Sequence, residues 1–61
     1  MILSKVVERV FKEHLKAVED AKTMEEAVHY LAGLVLKETG GKALMPIVYE
    51  EVRRRLASYP L

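Results

Sequence analysis

Thr23-Met24-Glu25-Glu26-Ala27-Val28-His29-Tyr30-Leu31-Ala32-Gly33-Leu34-Val35-Leu36-Lys37-Glu38-Thr39-Gly40-Gly41 is the stretch that decides the fold. It opens on a Thr-x-x-Glu capping box. The Thr23 hydroxyl can accept from the amide three residues on while Glu26 reaches back to the amide of Thr23. Glu25 and Glu26 complement the positive end of the helix dipole. Met24, Ala27, Val28, Leu31, Leu34 and Val35 then recur at helical spacing. Gly40-Gly41 supplies the left-handed cap that stops the run. The spacing predicts a helix over 24–38.

Outward toward the N-terminus, Leu3, Val7, Val10, Phe11, His14, Val18 and Ala21 fall on one face at about 100° per residue. Lys5, Arg9, Lys12, Glu13, Lys16 and Glu19 fill the other side. This predicts one amphipathic helix over 3–21. Toward the C-terminus, Pro46 suits a first helical turn, where its missing amide proton costs nothing. Leu44, Val48, Val52, Leu56 and Tyr59 make an inner face, Glu50–Arg54 and Glu51–Arg55 form i,i+4 pairs, and Pro60 ends a helix over 44–58. No segment has strand periodicity. The expected fold is all-α, a single 1–61 domain with an antiparallel helix hairpin and a third helix.

The chain has 61 residues, 51% hydrophobic and 31% charged, with a formal net charge of +1. A chain this short buries only about 60% of its unfolded surface, too little wall for a dry catalytic cleft. It has no cysteine, which removes disulfides and thiolate metal sites. Self-association is the compensation left to a small core. The near-neutral balance argues against coating nucleic acid through bulk electrostatics. No apolar run approaches a membrane span, and Ser4 and Lys5 follow Met1-Ile2-Leu3 too early for a signal peptide. The expectation is a complete cytoplasmic product. Asn and Gln are absent while Lys, Arg and Glu abound, the composition of a thermophile protein.

Several motifs compete with plainer roles. Glu26-x-x-His29 has the spacing of a di-iron carboxylate helix, but both residues lie roughly 140–200° from the apolar centre of their helix. Arg9-Val10-Phe11-Lys12-Glu13-His14 resembles the Arg-x4-His signature of the HEPN helical ribonucleases. That resemblance spans six residues and implies Arg and His acting together at a dimer cleft; one helix separates the two by about 140°. Neither motif is assigned a role, so no catalytic residue, metal or cofactor is expected. His14 sits on the apolar stripe as an interface histidine. Lys42, Arg53, Arg54 and Arg55 would serve a helix-turn-helix reader contacting nucleic acid, although consecutive residues point about 100° apart. Gly40-Gly41-Lys42 follows a helix and lacks P-loop spacing. Ser4 and Ser58 have no neighbouring histidine.

A second apolar patch decides the functional expectation. Tyr30, Gly33 and Leu36 lie off the main stripe of the second helix, and Ile47 and Tyr49 broaden the third. With His14 they form the expected interface. Shortness and this surplus predict a non-enzymatic interaction or assembly protein whose partner is first a second copy in a homodimer, otherwise another protein. The alternatives are a dimeric nucleic-acid-binding regulator, and a dimeric metal-binding or RNA-cleaving helical protein.

Overall fold

The computed structural model describes residues 2–59; the role expected of Pro60 lies outside them. Four helices follow one another: α1 (Leu3–Glu13), α2 (Leu15–Ala21), α3 (Glu25–Glu38) and α4 (Met45–Ser58). The all-α expectation is right and the three-helix one is not. What the periodicity reads as one helix over 3–21 breaks at His14, whose backbone sits at φ −134°, ψ 54°. No Gly or Pro marks the break, so its cause is tertiary. A straight helix over those residues would be about 28 Å long, against about 21 Å for α3. Breaking at His14 lets α1 pack on both α3 and α4 while α2 closes down on α3. The junction keeps its hydrogen bonds. The His14 N–H donates to the carbonyls of Val10 (3.0 Å) and Phe11 (3.3 Å), and the His14 carbonyl accepts from Val18 N–H (3.0 Å).

The start of α3 also differs from the capping-box expectation. Met24 is the N-cap, and no side chain caps it. Thr23 closes the end of α2 instead. Its hydroxyl (3.4 Å) and its N–H (3.1 Å) both donate to the Asp20 carbonyl, as does Met24 N–H (2.8 Å). Glu25 and Glu26 remain in the first turn, where the dipole favours them. At the other end, Gly40 (φ 68°) and Gly41 (φ 77°) are left-handed. Gly41 N–H donates to Leu36 O (3.1 Å) and Gly40 N–H to Lys37 O (3.0 Å), a Schellman termination. Thr39, only 3% exposed, adds a hydroxyl bond to Leu36 O at 2.7 Å. Helix α4 starts at an extended Leu44 with Pro46 in its first turn.

The core is Val7, Val10, Phe11, Val18, Leu31, Ala32, Val35, Val48 and Val52, each nearly inaccessible. Helix α3 is central and touches the other three. Phe11 meets the Tyr59 ring edge-on at 5.3 Å. Lys22, beyond the end of α2, donates through Nζ to Leu56 O (3.3 Å) and Tyr59 O (2.8 Å), closing the C-terminus of α4. Met24 and Leu44, placed inward by periodicity, are 46% and 68% exposed; each is the residue just outside its helix, where helical phase no longer applies. No helix among the described residues is long and apolar enough to cross a membrane.

Candidate functional site

The arginines are the first candidates, and the fold uses all four of them. Arg53 reaches across to Glu25 on α3 (2.6 Å) and lies over the Tyr49 ring at 5.1 Å. Arg55 reaches to Glu8 on α1 (3.5 Å), Arg54 pairs with Glu51 one turn back, and Arg9 pairs with Glu38 between α1 and α3. The i,i+4 pairs read from the sequence, Glu50–Arg54 and Glu51–Arg55, give way to these. Three of the four cations thus join different helices, and no arginine stripe faces outward. The hydrogen bond and charge of Glu51 raise the Arg54 pKa further above its already high value. All four arginines are solvent-accessible, and pairs of this kind add little to stability. Lys42 stands exposed in the loop before α4.

The second candidate is the outer face of α3. Glu26, His29, Tyr30, Gly33 and Lys37 are all exposed on it. Rings flank it on both sides. Half-buried His14, from the α1–α2 junction, meets Tyr30 edge-on at 6.3 Å, and Tyr49 of α4 meets His29 at 4.8 Å. Tyr30 is 54% exposed, whereas the Tyr49 hydroxyl is buried with no hydrogen-bond partner. Gly33 lies between the rings and Lys37. Its φ is not positive, and a Cβ built on it meets nothing within 4 Å. Neither backbone conformation nor packing inside the chain calls for glycine here, yet glycine costs a helix interior about 1 kcal/mol relative to alanine.

The structure therefore divides the residues singled out from the sequence. His14, Tyr30 and Gly33 gather at this face. Leu36 and Tyr49 are half-buried and pack against the core, and Ile47 is 52% exposed on α4. Glu26 and His29 are both exposed, and among the described residues no group of three or more His, Cys, Asp or Glu stands close enough to hold a metal ion. Arg9, bound to Glu38, and His14, edge-on to Tyr30, face different partners. Sequence reading missed Lys22 and Thr39. The Lys22 role is set by carbonyls of a distant helix end, which no local pattern encodes, while Thr39 makes a local bond to the carbonyl three residues back.

An exposed helix face carrying an aromatic ring, with no reactive pair beside it, fits a component of something larger, and the comparison with known sequences agrees. The sequence profile of the GatB domain matches residues 1–56. The chain belongs to the GatB domain family. Three relatives are each the B subunit of an aspartyl/glutamyl-tRNA(Asn/Gln) amidotransferase. The protein of Methanopyrus kandleri is 46% identical over 57 residues, covering 92% of this chain and 12% of its own length. The protein of Saccharolobus solfataricus is 35% identical over 54 residues, 88% of this chain and 11% of its own. That of Caldanaerobacter subterraneus is 39% identical over 56 residues, 90% and 12% respectively. The chain thus spans about an eighth of the length of these relatives. No solved structure matches it significantly.

This overturns two expectations. The GatB domain is a unit shared with one component of an enzyme complex, so the reading as a free, self-associating assembly protein is wrong, and the non-enzymatic label is wrong for the same reason. Small size and surplus apolar surface do not require a second copy of the chain. A larger polypeptide around the domain satisfies both equally well.

Proposed function

We propose that this GatB domain works as a helical module of the B subunit of a tRNA-dependent amidotransferase, supporting the binding of aspartyl- or glutamyl-tRNA while other parts of the complex make and break bonds. The observation that carries this reading is sequence identity of 35–46% to three such proteins over nearly the whole chain. The polar side chains are engaged within the fold, which leaves bond-making to other parts of the complex. The Ser58 hydroxyl is engaged by Arg55 O, the arginines are held by glutamates, and both histidines face tyrosine rings.

A chimera tests it. The matching 57-residue segment of the Methanopyrus kandleri protein is replaced by this chain, and amide formation on glutamyl-tRNA is measured. The module reading expects an assembled, active complex. Gross disruption of the inserted module is expected to raise KM for the charged tRNA with little change in kcat, the signature of lost uniform binding. A chimera that assembles with unchanged KM whether the module is intact or disrupted refutes the role.

A further inference from the structure

We infer that one end of the domain, built from the start of α1, the end of α3 and the loop into α4, meets the sugar-phosphate backbone of tRNA through Lys5, Arg9, Lys37 and Lys42. The inference rests on the module reading and adds to it the surface that touches the RNA. The formal charge of +1 conceals an uneven distribution. Two grooves lie at this end. Lys5, Arg9 and Glu38 line one, and Leu3, Thr39 and Lys42 line the other. Lys37 stands beside them in the last turn of α3. That sets four cations against one carboxylate here. Of the ten Lys/Arg and nine Asp/Glu in the chain, six and eight remain for everything else. Glu38 is already bound to Arg9. Lys5, Lys37 and Lys42 are the exception to the pairing seen at the arginines: all three are exposed, and among the described residues no carboxylate pairs with them.

Helix stability does not ask for this arrangement. Lys5 stands in the first turn of α1, at the positive end of the helix dipole, where an acid is favoured. Neither α1 nor α4 has an acid in its first turn. Both N-termini lie at this end, because Leu3 of α1 shares a groove with Ala43, just before α4. Their dipoles add to the lysines and raise the local positive potential. Only Lys37 is accounted for by its own helix, at the negative end of the α3 dipole. Uncompensated cations on separate segments suit a chain of phosphates, since each contact releases a counterion from the nucleic acid. No aromatic ring lines either groove. Bases therefore have no stacking platform here, and the contact is with the backbone. The module reading supplies the RNA, aspartyl- or glutamyl-tRNA.

The test measures binding of the 61-residue chain to a glutamate tRNA transcript by fluorescence anisotropy, between about 50 and 200 mM salt. Lys5→Gln/Lys42→Gln is compared with Lys16→Gln/Arg54→Gln, which removes the same charge from exposed positions on α2 and late in α4. Far-ultraviolet circular dichroism confirms that every variant is folded. The parent is expected to bind with a salt-dependent affinity. The slope of log K against log salt is expected to fall by about 2 in the first variant, one per lysine, and to change little in the second. Glu38→Gln frees Arg9 and is expected to bind more tightly with a steeper slope, a gain that a merely structural pair does not give. No binding by the parent, or equal losses in the two double variants, overturns the inference. Polyglutamate that displaces the tRNA at equal charge concentration assigns the surface to an acidic polypeptide and overturns it too. The chimera described above separates this failure from that of the module reading. If the intact module lowers KM for glutamyl-tRNA and Lys5→Gln/Lys42→Gln leaves KM unchanged, the module reading stands and this surface falls. A KM indifferent to the module itself sinks the module reading.

Discussion

Gly33→Ala and Gly40→Ala form a pair whose outcomes the structure sets in opposite directions. Both replace a glycine whose added Cβ meets nothing within 4 Å, so neither gains nor loses packing. Both restrict the unfolded chain to the same degree. They differ in backbone. Gly33 is in the interior of α3 without a positive φ, and Gly40 sits at φ 68° in the Schellman turn. Alanine at position 33 recovers the helix propensity of about 1 kcal/mol. Alanine at position 40 incurs the left-handed penalty of about 1–2 kcal/mol. For a domain of this size about 1 kcal/mol moves Tm by roughly 4–8 °C, so Gly33→Ala should melt higher by that amount and Gly40→Ala should melt lower than the parent. The gap between the two variants is about 1–2 kcal/mol, the left-handed penalty, because the unfolded-state contribution is common to both and cancels.

The assay is thermal melting by far-ultraviolet circular dichroism on the 61-residue chain, with urea titrations to confirm that the m-value is unchanged. Melting temperatures that move in the same direction, or a Gly33→Ala variant no more stable than the parent, refute the reasoning. Either result means that Gly33 does something inside the chain that the open space above it does not reveal.

Other perturbations follow from single observations. Tyr49→Phe removes a buried hydroxyl that has no partner, so urea denaturation should show unchanged or slightly raised stability, where loss of a made hydrogen bond would cost about 1 kcal/mol. Lys22→Met frees the carbonyls of Leu56 and Tyr59 and should cost about 0.3–1 kcal/mol, with faster amide exchange confined to the last turn of α4. Phe11→Ala empties the space of a fully buried ring packed against Tyr59. At about 3–5 kcal/mol it should abolish the cooperative melt of so small a domain.

Helical class was legible because Val7, Val10, Phe11 and Val18, like Val48, Val52 and Leu56, repeat at a period that only a helix can bury. The break at His14 was not legible, because Lys12-Glu13-His14-Leu15 contains neither Gly nor Pro and the break is imposed by how α1 and α2 each meet α3. Thr23 misled for a different reason. A threonine can finish one helix as well as start the next, and only the position of the Asp20 carbonyl decides which. The arginine pairs show the same limit, since Arg53 and Arg55 prefer Glu25 and Glu8 on other helices to glutamates within α4. Family membership was hidden because the match extends over residues 1–56 as a whole, and the chain carries no short reactive motif to advertise it.

The surplus of apolar surface has one physical meaning for a free chain and another for a tethered one. A stable complex between free partners buries about 800 Å² on each side. That is close to a fifth of the 4170 Å² this molecule exposes. A domain joined to its partner works under a weaker requirement. A short tether supplies an effective concentration of about millimolar, so a contact of about 4 kcal/mol already holds the domain in place half of the time. The apolar surplus that reads from the sequence as half of a homodimer is therefore equally consistent with a domain held against a partner by a covalent tether.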